Sequence, residues 1–409
     1  MQNDSEERPG AENRNGVLTH DFRLVILNAG LSRMGVMAYG IVVLWVTLAL
    51  THSTVITGLA DGMVSLPLFA SFIVGAYVDR SPRKKSLGAV AGIARPAAIG
   101  ILFIALLVHS VLLIALLFFS TSIIIGFTSD VMNSVRSVWS KRFLDDATYK
   151  KGTSVMQAAT GVAETAGYGL AGAVLVLGFD DAFIALTVIF ITAMLAIIPI
   201  SSPREARKED GSVGGSVREG LGFIRGNTAL LEILLIALLA NFIFGTVGVS
   251  LTALVQLDFR LSGIYFGSLL FVLGVAAIFG SVLASKVSGS VGRELTATVF
   301  LVGLFIGLIG LSPSIYYDYL LLGGIGLLIG MLNVAVSTLA IRKVPEKMMA
   351  TVQGTFNTFG LGMTFLSGTV GGVVIALTSA RSMLLIVCVV AVAIAALSLT
   401  FKELNMTRI

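Results

Sequence analysis

Apolar residues run in long unbroken blocks along this chain, and polar residues are largely confined to the breaks between them. About twelve blocks reach the length at which an α-helix crosses a hydrocarbon core of about 30 Å. They fall at roughly 24–50, 55–78, 87–108, 111–138, 153–178, 182–200, 229–256, 262–285, 294–312, 315–341, 351–378 and 382–401. A transmembrane β-strand needs alternating apolar and polar positions. These blocks are instead continuous and rich in Leu, Ile, Val, Ala and Gly. The pattern predicts an all-α membrane protein of about twelve transmembrane helices.

The breaks alternate in character. Those at Thr51–Thr54, His109–Ser110, Phe179–Asp181 and Ser312–Ser314 are very short. Those on the other side are longer and basic, as at Arg80, Arg83, Lys84 and Lys85, at Lys141, Arg142, Lys150 and Lys151, and at Arg342, Lys343 and Lys347. The short-connector side carries only Arg260 and Arg381. Lys and Arg accumulate in cytoplasmic loops, so both termini are expected inside a cell (cytoplasmic or inner) membrane. The longest break, 201–228, reads as a cytoplasmic linker. Val217, Leu221 and Ile224 near its end stand at helical spacing and predict a short amphipathic helix on the membrane surface. The expected domains are a tail at 1–23, a six-helix bundle at 24–200, the linker at 201–228, a second six-helix bundle at 229–401 and a tail at 402–409.

Composition sharpens this by exclusion. The 409 residues are 56% hydrophobic and 12% charged, and mean hydropathy is +0.94; no soluble domain buries so much apolar side chain. The net charge of +5 sits mainly in short loops where it sets topology, so nucleic acid is not an expected partner. Cys388 is the only cysteine, which argues against a disulfide or a thiolate metal site. His20, His52 and His109 all stand at span edges and leave no buried metal cluster. There is no GxxxxGK[ST] loop, and no cofactor or enzyme signature stands out. The polar start of the chain lacks the apolar core of a signal peptide.

Five charges fall inside the apolar blocks: Arg33, Asp61, Arg95, Asp130 and Glu164, all in the first half. A charge at the centre of a bilayer costs at least about 2.5–3.5 kcal/mol, so each is a functional candidate. At about 1.5 Å per residue, Arg33 and Arg95 both lie about 12–14 Å from the basic ends of their spans, and Asp130 lies at a similar depth. A neutralising cluster of Arg33, Arg95 and Asp130 is one expectation; an Arg83–Asp130 pair is its competitor. Glu164 falls near the middle of its span with no basic residue evident at its depth. Loss of water favours the neutral form of a carboxyl group, which makes Glu164 the first candidate for proton coupling and Asp61 the second. Asp258, Asp318 and Glu232 stand at span ends and are expected to be solvated. The second half offers neutral groups for a substrate cavity: Asn241, Phe244, Asn333, Gln353 and Asn357.

The halves resemble each other. Basic turn, polar loop and Gly-rich span recur at 141–172 and 342–372, with Gln157 and Gln353 in matching places. Gly75, Asp79 and Arg80 correspond to Gly280, Ala284 and Ser285, so the second copy has lost the acid. Six spans repeated after about two hundred residues is the parallel repeat of one transporter class.

Taken together, Gly75, Asp79, Arg80, Arg83 and Lys84 resemble the loop motif G-x-x-x-D-R-x-G-R-R/K of the major facilitator superfamily, with Pro82 where that family usually has Gly. The resemblance implies two pseudo-symmetric six-helix bundles and transport by alternating access. It implies that Asp79 faces the positive N-terminus of the eleventh helix near Thr351 and holds the cytoplasmic gate. Val344-Pro345-Glu346-Lys347 resembles a turn of the drug and siderophore exporter branches, including enterobactin- and macrolide-type exporters. Gly161 to Gly172 resembles the G-P-x-x-x-G element of antiporters, with Tyr168 in place of Pro. The expected function is proton-coupled export of small amphipathic organic compounds by a monomer in the lipid bilayer. The alternative is uptake of a small anionic metabolite with protons, with Arg33 and Arg95 as the clamp. An intramembrane enzyme would need an acid pair or a Ser/His set at matched depth.

Overall fold

The computed structural model describes residues 19–144, 146–201, 222–284, 291–343, 358 and 362–401. Among them the chain is helix and turn, with no strand. The first half contains α1 (His20–Thr51), α2 (Thr54–Ser65), a 3-10 turn (Leu66–Ala70), α3 (Ser71–Arg80), α4 (Lys84–Leu107), α5 (Val111–Phe143), α6 (Asp146–Leu175) and α7 (Phe179–Leu195). The second half contains α8 (Thr228–Phe244), α9 (Val247–Ala253), a π-helical turn (Leu254–Asp258), α10 (Gly263–Leu283), α11 (Val291–Leu311), α12 (Ile315–Lys343), α13 (Thr364–Leu377) and α14 (Ala380–Ser398). Among the described residues eight helices are long and apolar enough to cross a membrane, with shorter apolar helices at Thr54–Ala70 and Thr364–Leu377.

The short connectors work because one residue stops a helix and the next starts another. His52 ends α1 in the left-handed region (φ 50), and the Ser53 hydroxyl accepts the Ile56 N–H at 3.3 Å to cap α2. Thr19, Asn227 and Ser379 cap α1, α8 and α14 in the same way. Such caps satisfy donors that the helix itself leaves open. Two expected spans are broken. The second divides at the 3-10 turn holding Pro67, which has no N–H to continue an α-helix. The seventh divides at Gly245 and Thr246. At the end of the linker, residues 222–226 are helical and Ile224 is buried against Leu230 and Leu234; Val217 and Leu221 lie outside the described residues.

The halves meet along two seams, α2 on α13 and α6 on α10. The second and fifth spans of the first half correspond to the eighth and eleventh of the second, so the repeat maps each seam onto the other. Both are lined by glycine. A Cβ on Gly58 would strike the Gly368 carbonyl, one on Gly372 the Thr54 carbonyl, and one on Gly172 would lie 2.8 Å from the Gly267 Cα. The Thr54 hydroxyl donates across the first seam to the Gly372 carbonyl at 2.8 Å. Small residues let helix backbones meet directly in a membrane.

Both seams are tight toward the short connectors. There the core is one cluster shared by both halves, from Trp45 and Phe183 to Val249, Phe266 and Leu384. Toward the basic loops it divides. Phe22, Val78, Val135, Trp139 and Ile197 form a cluster of first-half residues, and Ile233, Leu295, Val299 and Ile394 form one of second-half residues. Among the described residues, the apolar core is shared at one end and divided at the other.

Gly58→Ala and Gly372→Ala should each lower the thermal unfolding temperature of the purified protein, with an overpacking cost of about 1–3 kcal/mol. Gly40→Ala and Gly100→Ala, where a Cβ meets nothing within 4 Å, should hold or raise it, since Ala is the better helix former by about 1 kcal/mol. Equal losses at all four positions would contradict the seam.

Candidate functional site

Glu164 of α6 is not alone at its depth. Arg33 of α1 donates to its Oε2 through Nε at 2.9 Å and Nη2 at 2.8 Å. The other oxygen, Oε1, accepts the Tyr168 hydroxyl at 3.0 Å, one helical turn further along α6. Gly167, beside Tyr168, brings α6 onto α1: a Cβ there would lie 2.5 Å from the Met34 carbonyl. The pair remains accessible, with side chains 46% (Arg33) and 31% (Glu164) exposed. Asp61, half-buried on α2, stands close enough for its charge to act on both Tyr168 and Tyr39; the Tyr39 hydroxyl is hydrogen-bonded to Ser122 at 2.8 Å. Among the described residues no hydrogen bond or ion pair reaches the Asp61 carboxylate. Asp61 thus lies near both tyrosines, and Glu164 binds one of them, Tyr168.

The expected cluster of Arg33, Arg95 and Asp130 does not form among the described residues. Arg95 is 2% exposed; it donates to Thr128 and Ser129 of α5 at 3.1 Å each and lies over the Phe190 ring. Buried in this way, it cannot serve as an anion clamp in an open path. Asp130 takes its hydrogen bond from Ser71 and leaves Oδ2 without a partner, so it pairs with neither Arg95 nor Arg83. Sequence reasoning passed over Arg136, a buried guanidinium that donates to Asn28 at 3.2 Å and Asn133 at 2.6 Å. It is within electrostatic reach of both Arg95 and Arg33.

In the basic loop, α3 ends at Arg80, and the Ser81 N–H closes on the Tyr77 and Val78 carbonyls. Arg83 precedes α4, and its N–H donates to the Ser81 hydroxyl at 3.3 Å. Lys84 is buried, with Nζ on the Ser81 carbonyl at 3.2 Å. Lys85 donates to the carbonyls of Ile198 and Ile200 just past α7, at 2.6 and 2.9 Å, where the partial negative charge of a helix end favours a cation. Gly75 has room for a Cβ, with Ser134 4.0 Å away. The side chain of Asp79, and the helix start near Thr351 that it was expected to face, lie outside the described residues.

In the second half, Asn241 is half-buried and Asn333 exposed, while Phe244 packs against both the shared core and the second-half core. Gln353 and Asn357 lie outside the described residues. Asp258 is ion-paired with Arg381 at 3.3 Å. Asp318, expected to be solvated, is 0% exposed.

Arg95→Met and Arg136→Met should separate two kinds of buried cation. Thr128 and Ser129 also donate to the Ile124 and Ile125 carbonyls of their own helix, so losing Arg95 leaves no orphaned donor. A buried charge replaced by an apolar chain of similar length is often neutral or stabilising, and Arg95→Met should hold or raise the melting temperature. Arg136→Met strips the Asn28 and Asn133 oxygens of a donor and should cost about 1–3 kcal/mol, read in the same thermal assay.

Sequence and fold comparisons agree with this architecture. The chain is 27% identical over 325 residues, covering 74% of its length and 73% of the relative, to an uncharacterized MFS-type transporter, YkuC, of Bacillus subtilis (strain 168). It superimposes on an auto-inhibited POT family peptide transporter with TM-score 0.75 at 13% identity, covering 94% of this chain and 97% of that one. It superimposes on the nucleoside transporter NupG with TM-score 0.72 at 12% identity, covering 94% and 100%. A bacterial metal transporter gives TM-score 0.66 at 12% identity, covering 94% and 99%. The family model of the Major Facilitator Superfamily matches residues 25–368, and with the six-plus-six repeat, the paired seams and the intramembrane ion pair in place, the chain belongs to the major facilitator superfamily of membrane transporters.

Proposed function

We propose that this chain is a proton-coupled exporter of small amphipathic organic compounds, with Glu164 as the coupling acid and Arg33 as its exchangeable partner. The observation that carries this reading is the Arg33–Glu164 pair itself. An ion pair inside a membrane bundle that remains part exposed can be reached by a proton and by a substrate. A proton on Glu164 removes the charge that holds Arg33, and the guanidinium is released toward the space between the halves. Tyr168 follows Glu164 through the same change, because its hydroxyl is bound to the second carboxyl oxygen.

The positive-inside pattern supports placing the basic loops in the cytoplasm, and with that orientation the split end of the bundle opens inward. Asp61 serves as the second acid, near the same tyrosines. The half-buried Asn241 and the exposed Asn333 give the second-half wall a neutral, hydrogen-bonding character that suits an amphipathic cargo. Export as the direction rests on the resemblance of Val344–Lys347 and of the Gly161–Gly172 element to exporter branches. A second reading, uptake of a small anion with protons, draws on the 46% exposure of Arg33, which gives an anion a cation to find; Arg95 takes no part in it.

The two readings part in vesicles with an imposed pH gradient. Export predicts substrate accumulation in everted vesicles that stops when the gradient is dissipated; accumulation in right-side-out vesicles instead supports uptake. Glu164→Gln should abolish gradient-driven accumulation by about tenfold or more while leaving gradient-independent exchange, since an interaction that couples two sites contributes about 1–3 kcal/mol. Gradient-driven transport that survives Glu164→Gln removes Glu164 from coupling.

A further inference from the structure

We propose that Asp318 is a second proton-binding site, set at the short-connector end of the second half, and that its proton decides whether Arg381 stays with Asp258. Asp318 lies in the first turn of α12 and is fully buried. Both carboxyl oxygens and the Ser312 hydroxyl are buried with no partner at full hydrogen-bond geometry, and Ser312 is the neighbour placed to donate to the carboxylate. An ionised Asp318 would have the Ser312 hydroxyl as at most one donor for two buried oxygens, an arrangement that folded proteins avoid. One proton resolves it: a neutral Asp318 can donate to the Ser312 oxygen, and no unpaired charge is then held out of water.

The surroundings give that proton a consequence. From α14, Arg381 is the cation whose field reaches Asp318. Its Nη1 donates to the carbonyls of Gly310 and Ser312 at the end of α11, at 3.3 and 2.8 Å. Its Nε faces Asp258 at 3.3 Å, and its plane lies over the Phe259 ring. From α10 the approach is uncharged, through Ser268 bonded to Tyr319. Arg381 therefore has two acids in reach and is paired with one. With Asp318 neutral, Asp258 keeps the guanidinium. With Asp318 ionised, a buried carboxylate competes for it, and breaking the Asp258 pair becomes favourable.

Asp258 is also a wall of a recess of about 370 Å³ between the halves, shared with His52, Ser53 and Ala376. Releasing Asp258 loosens that wall at the end where the seams are tight. Which compartment sets the proton rests on the orientation proposed above, and the test keeps the two apart. Ala376→Cys in a Cys388→Ala background, in sealed right-side-out vesicles, is labelled with a membrane-impermeant maleimide across a range of external pH. After correction for thiol reactivity with a free thiol standard, labelling should rise several-fold as pH rises, and Asp318→Asn should remove that rise. Ser312→Ala, which keeps the acid, should move its midpoint. An unchanged pH profile in both variants overturns the proposal, as does labelling that follows sodium at constant pH. Labelling only from everted vesicles, with the pH response still lost in Asp318→Asn, supports the proton site and overturns the orientation.

Discussion

Two helices can touch backbone to backbone only where neither carries a Cβ in the way, and this constraint fixes the closed end of the molecule. Gly58 and Gly62 of α2 meet Phe365, Gly368 and Gly372 of α13, and Gly172 of α6 meets Gly263 and Gly267 of α10. Lipid tails give apolar faces no reason to leave the bilayer for each other, so close packing has to supply the attraction. The shared core of Trp45, Phe266 and Leu254 lies around these contacts. Where the glycine seams give out toward the basic loops, the core separates into one cluster per half. The exposure of Arg33 and Glu164 fits that separation, because a pair on α1 and α6 sealed by the second half would be dry.

The buried charges show two ways of tolerating an ion in a membrane. Glu164 is satisfied on both oxygens, by a cation on one and by a hydroxyl on the other. Arg95 and Arg136 instead spread their charge over hydroxyls, amide oxygens and the Phe190 face. Neutral partners of this kind hold a cation in place but have no charge to surrender, so they cannot report a proton. That difference is the ground for proposing Glu164 rather than Arg95 for coupling; Arg95 packs α4 against α5 and α7.

The fold was legible because bilayer thickness and loop charge act on the chain one segment at a time. Run length gave the spans, and Lys and Arg gave their alternation. The site was less legible, because depth was counted from the ends of apolar runs. Helices pass those ends: α1 starts at His20 and α6 at Asp146, both earlier than their apolar blocks. Arg33 and Glu164 were thereby assigned different depths when they are in contact. Arg136 was overlooked because α5 continues to Phe143, which carries an apparent span-end residue into the bundle. Asp318 reads as solvated from sequence because it stands in the first turn of its span, beside a short connector. Ser312 of the preceding connector and Arg381 of α14 act on it, and the second of these is brought there only by the fold.

The expectation of a charged first half working against a neutral second half therefore needs revision. The second half holds a buried acid of its own, but at the connector end and beside a cation already engaged, whereas Glu164 lies deeper and its cation is half-open. The repeat relates the helices without relating these sites: in the register that matches Gln157 with Gln353, the sequence has Gly360 and Thr364 where α6 has Glu164 and Tyr168. A backbone repeat preserves what packing needs, the glycines of the seams, and leaves ionisable positions free to differ. The similarity to peptide, nucleoside and metal transporters at 12–13% identity follows the same logic. The shared part is the helical frame. Under the proposed function, the arginine–glutamate pair of the first half and the amides Asn241 and Asn333 of the second are the polar groups offered to cargo.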